Sequence, residues 1–202
     1  LDPARLHAAA DEGTRAAAEA LIEAYGLFNS THLRREVVRA LAELDGIAEA
    51  EEIALEKIAN VATEESEPEL RRAAVEALAS SPSLGKFFLR RVVDSPADPS
   101  VRVDALRRHI EQRTDEDLAW YEELFRAPER KERAPKTRSG DRVRAVNSLT
   151  ELRELALVQI APGLKSSEVA RIAREKAKRP EEPRLDGIRR IALAELVRRD
   201  DK

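Results

Sequence analysis

The sequence predicts an all-α protein built from about five pairs of helices. Hydrophobic residues make up 42% of the 202 residues but aromatic residues only 3%, so the core must consist mainly of Ala, Leu, Val and Ile. Ala and Leu are strong helix formers. Glycine is scarce, at 7 residues, and the apolar–polar alternation that is typical of strands is absent. A short amphipathic segment recurs along the chain and sets the number of pairs.

One nine-residue segment occurs five times without gaps. The copies are LRREVVRAL from Leu33, LRRAAVEAL from Leu70, VRVDALRRH from Val101, DRVRAVNSL from Asp141 and IRRIALAEL from Ile188. Positions one, five and nine are mostly apolar or small, and they share one helix face because offsets of four recur every turn. Position two is always arginine: Arg34, Arg71, Arg102, Arg142 and Arg189. Each copy is therefore predicted to be a helix with one buried stripe.

A second helical pattern precedes each copy, at residues 14–25, 48–62, 84–94, 115–126 and 166–178. Helix start signals separate several of these patterns. Asp98 stands where an N-cap residue sits and Pro99 at the first helical position. Ser66 or Glu67 with Pro68 provides a similar signal. Residues 152–160 continue or follow the fourth copy, and the Ala-rich residues 5–13 suit an N-terminal cap.

Repeated helix pairs of about 40 residues resemble the HEAT family of α-solenoids, including its short bacterial type. The resemblance covers nearly the whole chain and rests on the Asp98-Pro99 start and on apolar–Arg pairs such as Leu70-Arg71. It implies one right-handed α-α superhelix over residues 1–202, in which the second helix of each pair lines a concave face. Asp141 departs from the apolar first position, and a basic insertion loop is expected at residues 127–140 within the fourth pair.

Several kinds of chemistry are disfavoured by the composition. The chain has no cysteine, which excludes a disulfide framework, a thiolate zinc site and a cysteine nucleophile. The three histidines, His7, His32 and His109, lie in different repeats, so no metal site is expected. His109 occupies a leucine position and is predicted to be a core residue. No catalytic motif or phosphate loop stands out, and we expect no catalytic residues and no cofactor.

The densest aromatic cluster comprises Trp120, Tyr121 and Phe125, together with Leu124. Offsets of four favour packing in the core of the fourth pair. The alternative is a ligand cleft that includes Asp117. HEAT-like bilin lyases and DNA glycosylases suggest this alternative by analogy of fold alone, which leaves the role of an enzyme accessory open.

The charge is unevenly distributed. Residues 1–100 carry a formal net charge of −8, and residues 101–202 one of +5. We interpret the repeated arginine as a structural residue that bonds acidic or carbonyl groups near the turn before its helix, with Glu67 and Asp98 as candidate partners. The alternative is a basic ladder along the inner face that binds phosphates or an acidic partner. The partner-binding candidates are the arginines beside the buried positions and the basic residues of the loop: Arg35, Arg39, Arg72, Arg107, Arg108, Arg190, Arg130, Lys131 and Arg133.

These features favour a non-catalytic scaffold that binds a protein partner on its concave face. The charge asymmetry suggests that an acidic surface of the partner docks towards the C-terminal half. Nucleic-acid binding is the alternative, but it is opposed by the few aromatics and by the glutamates interleaved in the basic loop. No apolar run reaches the roughly 20 residues of a membrane span, so membrane insertion is not expected. The compartment stays open, with the cytoplasm favoured over export followed by signal removal. The absence of methionine indicates a chain that begins after processing or trimming.

Overall fold

A computed structural model describes residues 3–11, 13–47, 50–126, 139–174 and 186–200. This part of the chain is helical and contains no strand. Its α-helices, numbered in chain order, are α1 Pro3–Asp11, α2 Arg15–Leu27, α3 Thr31–Ala42, α4 Glu51–Glu64, α5 Pro68–Ser80, α6 Gly85–Asp94, α7 Pro99–Glu111, α8 Leu118–Arg126, α9 Ser139–Ile160, α10 Ser166–Arg174 and α11 Asp186–Asp200. The predicted all-α class is confirmed.

Both helices of every predicted pair are present, with boundaries close to those expected. The fourth pair differs most from the prediction. Its first helix begins with a 3-10 turn at Asp115–Asp117, and its second helix runs without a break from Ser139 to Ile160. Residues 152–160 therefore continue the repeated segment. Ser139 and Gly140, predicted to lie in the basic loop, are in the first turn of α9, while loop residues 127–138 fall outside the described residues.

Polar side chains and prolines determine where several helices begin. The Asp98 carboxylate accepts a hydrogen bond from the Ser100 amide at 2.9 Å, and Pro99 occupies the first turn of α7. The Thr14 hydroxyl accepts from the Ala17 amide at 3.1 Å at the start of α2. Glu67 precedes Pro68 but makes no side-chain cap, so proline alone marks the start of α5. Both mechanisms satisfy or remove amide donors that have no partner within the helix.

The chain forms two compact units, Leu1–Gln112 and Arg113–Lys202. In the first unit, α2, α4 and α6 are successive neighbours, and so are α1, α3, α5 and α7. The second helix of each pair thus packs beside the second helix of the next pair. The three side chains Leu41, Leu78 and Leu106, one from each of α3, α5 and α7, are fully buried.

In the second unit, α8 packs on α9 and α10 on α11, and α9 also contacts α11. The core of this unit includes Tyr121, Leu157 and Ile172, all at most 1% exposed. Each unit therefore buries apolar stripes between neighbouring helix pairs, which a single pair could not do alone.

Positions one, five and nine, which were predicted to be buried, are buried in the first unit except for Leu33, which is half-buried. The second unit follows the pattern less closely. At position five, Val37, Ala74, Ala105 and Ala192 are fully buried. At position six, Leu106 is fully buried, whereas Leu193 is 50% exposed. Leu196, at position nine, is only half-buried. The side chains of the fourth copy, including Leu149, lie outside the described residues.

Candidate functional site

Three predicted partner-binding arginines line one groove. The groove lies between α3 and α5, has a volume of about 530 Å³, and is bordered by Arg35, Arg39, Ala42, Glu69, Arg72, Ala73, Glu76, Ala77 and Ser80. Its size is in the range of ligand pockets. Arginines and glutamates provide its charges, while Ala42, Ala73 and Ala77 contribute only small side chains. We call this feature the α3/α5 groove.

The two helices that border the groove run parallel. Near their starts, Arg34 forms an ion pair of 2.9 Å with Glu65, just before α5. Beyond their ends, the Ser81 hydroxyl donates to the Asp45 carboxylate at 2.5 Å. Residues about 36 positions apart are therefore level with one another at this end of the helices, as the contact between Asp45 and Ser81 shows. Arg35 and Arg72, which occupy the same position in successive repeats, are equivalent on the two borders.

Most of the charged side chains in the groove form no ion pair among the described residues. Arg39 pairs with Glu36 at 2.7 Å. The only polar contact of the Arg35 side chain is with the His32 ring at 3.4 Å, and the buried Arg35 Nε has no hydrogen-bond partner among the described residues. Within the same part of the chain, Arg72, Glu69 and Glu76 form no ion pair or hydrogen bond through their side chains. The groove thus presents unpaired charges of both signs.

The other predicted site residues are not brought into this groove. Arg107 and Arg108 lie on α7, which packs beside α5. Arg107 is exposed, and Arg108 contacts Glu111 on its own helix at 3.3 Å. Arg190 is exposed on α11 of the second unit. The loop candidates Arg130, Lys131 and Arg133 lie outside the described residues.

The repeated arginine has a structural role wherever its side chain is described. Arg102 Nε donates to the Val93 carbonyl at 2.7 Å, and Arg189 Nε to the Ala173 carbonyl at 3.2 Å. Arg71 donates to the Glu65 carbonyl at 2.8 Å. These carbonyls lie at or just beyond the end of the preceding helix, where they lack a partner within the helix. The structural interpretation is confirmed, although backbone carbonyls replace the Glu67 and Asp98 carboxylates as the observed partners.

Arg34 uses the same repeat position differently. Besides its ion pair with Glu65, its guanidinium lies 4.4 Å from the centre of the Tyr25 ring. The Tyr25 hydroxyl donates to Glu65 at 2.7 Å, and the Lys57 ammonium lies 4.7 Å from the same ring. Burial raises the pKa of Tyr25, and the hydrogen bond to Glu65 raises it further. This cluster ties α2, α3 and the end of α4 together and leaves Arg34 unavailable to a partner.

The His7 side chain links α1 to α3. Its Nδ1 lies 2.9 Å from Glu43 Oε1, and its Nε2 lies 3.7 Å from Glu36 Oε2. The hydrogen bond to Glu43 is the main cause that raises the pKa of His7 above its ordinary value of 6.5. A raised histidine pKa stabilises the fold below the unfolded value, and this contribution is lost as the pH rises through the folded value.

We therefore expect His7→Gln to lower the Tm more at about pH 5.5 than at about pH 9. The stability change should not exceed about 1 kcal/mol, because solvent screens such an exposed ion pair. Thermal unfolding followed by circular dichroism measures both values. His32→Gln serves as the matched substitution, since His32 contacts no carboxylate among the described residues. A Tm difference for His7→Gln that does not change with pH would contradict the assigned role.

The aromatic cluster belongs to the core. Trp120 and Tyr121 are 4% and 0% exposed, and their rings lie 5.2 Å apart. The Asp117 carboxylate accepts from the amide of Thr114 at 2.6 Å, which caps the start of this helix. The interpretation as core packing is thus supported, and Asp117 acts as a capping residue. His109, 1% exposed, is a core histidine as predicted.

The described residues contain neither a cluster of metal ligands nor a membrane-spanning helix. No group of three or more His, Asp or Glu side chains in this part of the chain is placed to hold a metal ion. None of the described helices is both long and apolar enough to cross a membrane. Comparisons with protein-family models, with curated proteins and with solved structures found no match to this chain.

Sequence reasoning missed two residues of the groove, Glu69 and Glu76. Both lie on α5, on the same border as Arg72. The repeat contained a signal for Glu76, because it occupies the position that is Arg39 in α3 and Arg107 in α7. Glu69 precedes the repeated segment, so the alignment carried no information about it.

Proposed function

We propose that this protein is a non-catalytic scaffold that binds a protein partner through the α3/α5 groove. The observation that carries the proposal is the set of charged side chains in the groove, including Arg35 and Arg72, that form no ion pair among the described residues. Charges at an interface steer association and determine which partners fit. An acidic surface on the partner would pair with Arg35 and Arg72.

A HEAT-like solenoid is part of the same proposal. The parallel second helices of the first unit, each beside the next, support this local repeat. A continuous right-handed superhelix over residues 1–202 stays a prediction. The face formed by α3, α5 and α7 is the one that we propose for partner binding.

Nucleic-acid binding is less consistent with the groove. Glu69 and Glu76 would repel phosphates, and no aromatic side chain borders the groove to stack with a base. The described residues likewise supply no observation that favours a role as a lyase or glycosylase accessory.

Reversing the two unpaired arginines should abolish partner capture. We expect Arg35→Glu/Arg72→Glu to reduce the yield of the partner recovered from a lysate of the source organism at least about tenfold, because two favourable charge contacts become repulsive. Quantitative mass spectrometry of the captured proteins measures this yield. Arg171→Glu/Arg174→Glu on α10 changes the net charge equally at two exposed positions and should leave capture intact.

Equal capture by the wild type and both variants would overturn the assignment to the groove. A mobility-shift assay with duplex and single-stranded oligonucleotides at about 50 mM salt tests the alternative. Binding that is lost with Arg35→Glu/Arg72→Glu and weakens steeply as salt rises would favour nucleic acid over protein as the ligand.

A further inference from the structure

The α3/α5 groove has features that identify the kind of protein segment it would take. This inference rests on the proposed function and concerns the occupant of the same groove. On α5 the groove extends from Glu69 to Ser80, which is about 16 Å at 1.5 Å per residue. A helix of about three turns has this length.

A helical occupant suits the walls of the groove better than an extended one. Both walls are α-helices, whose backbone groups are already bonded within the helix. An extended segment would therefore find no exposed strand edge to pair with, and its amides and carbonyls would depend on side chains or water. A helix satisfies its own backbone groups. The small side chains of Ala42, Ala73 and Ala77 let such a helix approach closely.

The two borders of the groove carry different charges, and this difference favours some bound segments over others. The α3 border carries the cations Arg35 and Arg39, while the α5 border alternates Glu69, Arg72 and Glu76. Both glutamates lack a partner among the described residues. A segment with acidic residues alone would pair with the arginines but would be repelled by these two carboxylates. A segment with both signs satisfies both borders.

We propose that the α3/α5 groove binds an amphipathic helix of a partner protein, with acidic residues along the edge that faces Arg35 and Arg39 and Lys or Arg residues along the edge that faces Glu69 and Glu76. In this arrangement the arginines provide attraction to the acidic edge. The two glutamates select against partners, including polyphosphates, that carry negative charge alone.

Two designed peptides test the proposal directly. Each is a fluorescein-labelled, alanine-based helix of about 18 residues, long enough to retain helical structure in water. The mixed-edge peptide carries Glu every fourth residue along one edge and Lys every fourth residue along the other. The acidic-edge peptide has the same Glu residues, with Gln in place of Lys. Fluorescence anisotropy measures the Kd of each with the full chain.

We expect the mixed-edge peptide to bind at least about tenfold more tightly than the acidic-edge peptide. Glu69→Gln/Glu76→Gln should remove this difference by weakening the mixed-edge peptide, because the lysines lose their partners. Arg35→Gln/Arg39→Gln should weaken both peptides, because the acidic edge then loses the cations that face it. Circular dichroism of each variant confirms that the fold is retained.

Other outcomes separate this inference from the proposed function. Equal affinities of the two peptides for the wild type, with both peptides failing to bind Arg35→Gln/Arg39→Gln, would overturn the mixed-edge helix. Protein binding at the groove would still stand. Failure of both peptides to bind would also overturn the helix inference. The proposed function is tested independently, by comparing the capture of partner protein from a lysate by the wild type and by the charge-reversed variant.

Discussion

Leu106→Ala is expected to lower the free energy of unfolding by about 2–5 kcal/mol, the range for a leucine truncated in a well-packed core. Leu106 is fully buried on α7. Its removal leaves a cavity that rigid helix neighbours fill only in part. Leu193 occupies the same position of the repeat on α11 but is 50% exposed. Leu193→Ala should therefore change stability by no more than about 0.5 kcal/mol.

The two variants remove the same atoms from the same position of the repeat. A difference in their stability therefore reflects the burial of each side chain in the tertiary structure and not the sequence pattern. Urea unfolding followed by circular dichroism measures the change in the free energy of unfolding for Leu106→Ala. The single tryptophan, Trp120, lies in the second unit and reports Leu193→Ala by fluorescence. A cost for Leu193→Ala close to that for Leu106→Ala would contradict the exposed placement of this side chain.

Glu195→Gln should have the second-largest effect, and the effect should depend on pH. The Glu195 carboxylate, 8% exposed, accepts hydrogen bonds from Arg198 at 2.6 Å and from Arg199 at 2.8 Å. Arg199 in turn donates to the Ala161 carbonyl at 2.7 Å. The carboxylate thus holds the end of α11 against the segment that follows α9. The hydrogen bonds from Arg198, then those from Arg199, lower the pKa of Glu195 to about 2.

A carboxylate whose pKa is depressed by folding stabilises the protein above the unfolded pKa and loses that contribution as the pH falls through the folded pKa. For Glu195 this interval runs from 4.5 down to about 2. We expect Glu195→Gln to cost about 1–3 kcal/mol at neutral pH, because the two arginines lose a charged acceptor. The difference from the wild type should shrink across the acid interval.

Urea titrations of the Trp120 fluorescence between neutral pH and about pH 2 measure this difference. Glu123→Gln on α8 provides the control, since Glu123 is exposed and has no ion pair or hydrogen bond within the described residues. The free energy of unfolding of Glu195→Gln and of the wild type should be compared at each pH. A difference that stays constant through the acid interval would contradict the role assigned to the arginine contacts.

Much of the fold could be predicted from local signals. Apolar residues at offsets of four identify the buried faces of α3, α5 and α7 correctly, because the period of the helix is a property of the backbone. Asp98 and Pro99 locate the start of α7, since both act within one turn of their own position. The structural interpretation of Arg71, Arg102 and Arg189 also required only that they lie close to the preceding helix end.

The sequence was less informative where distant residues decide the outcome. Leu193 aligns with the buried Leu106 at position six of the repeat but is exposed, because burial depends on which helix lies opposite. Gly85 gave no signal of importance, yet it is buried where the carbonyl of Leu78 leaves no room for a Cβ atom. The choice of carbonyls as arginine partners, in place of nearby carboxylates, likewise depends on how two helices meet.

The candidate site divides in the same way. The sequence alone determined the helical class, the repeat and the exposure of Arg39 and Arg72, because amphipathic periodicity depends only on residues a few positions apart. Only the tertiary structure decided that Arg35, Arg39 and Arg72 share one groove with Glu69 and Glu76. Whether two charged side chains form an ion pair depends on the spacing of neighbouring helices. That spacing is determined by contacts between residues more than thirty positions apart in the chain, such as Asp45 and Ser81.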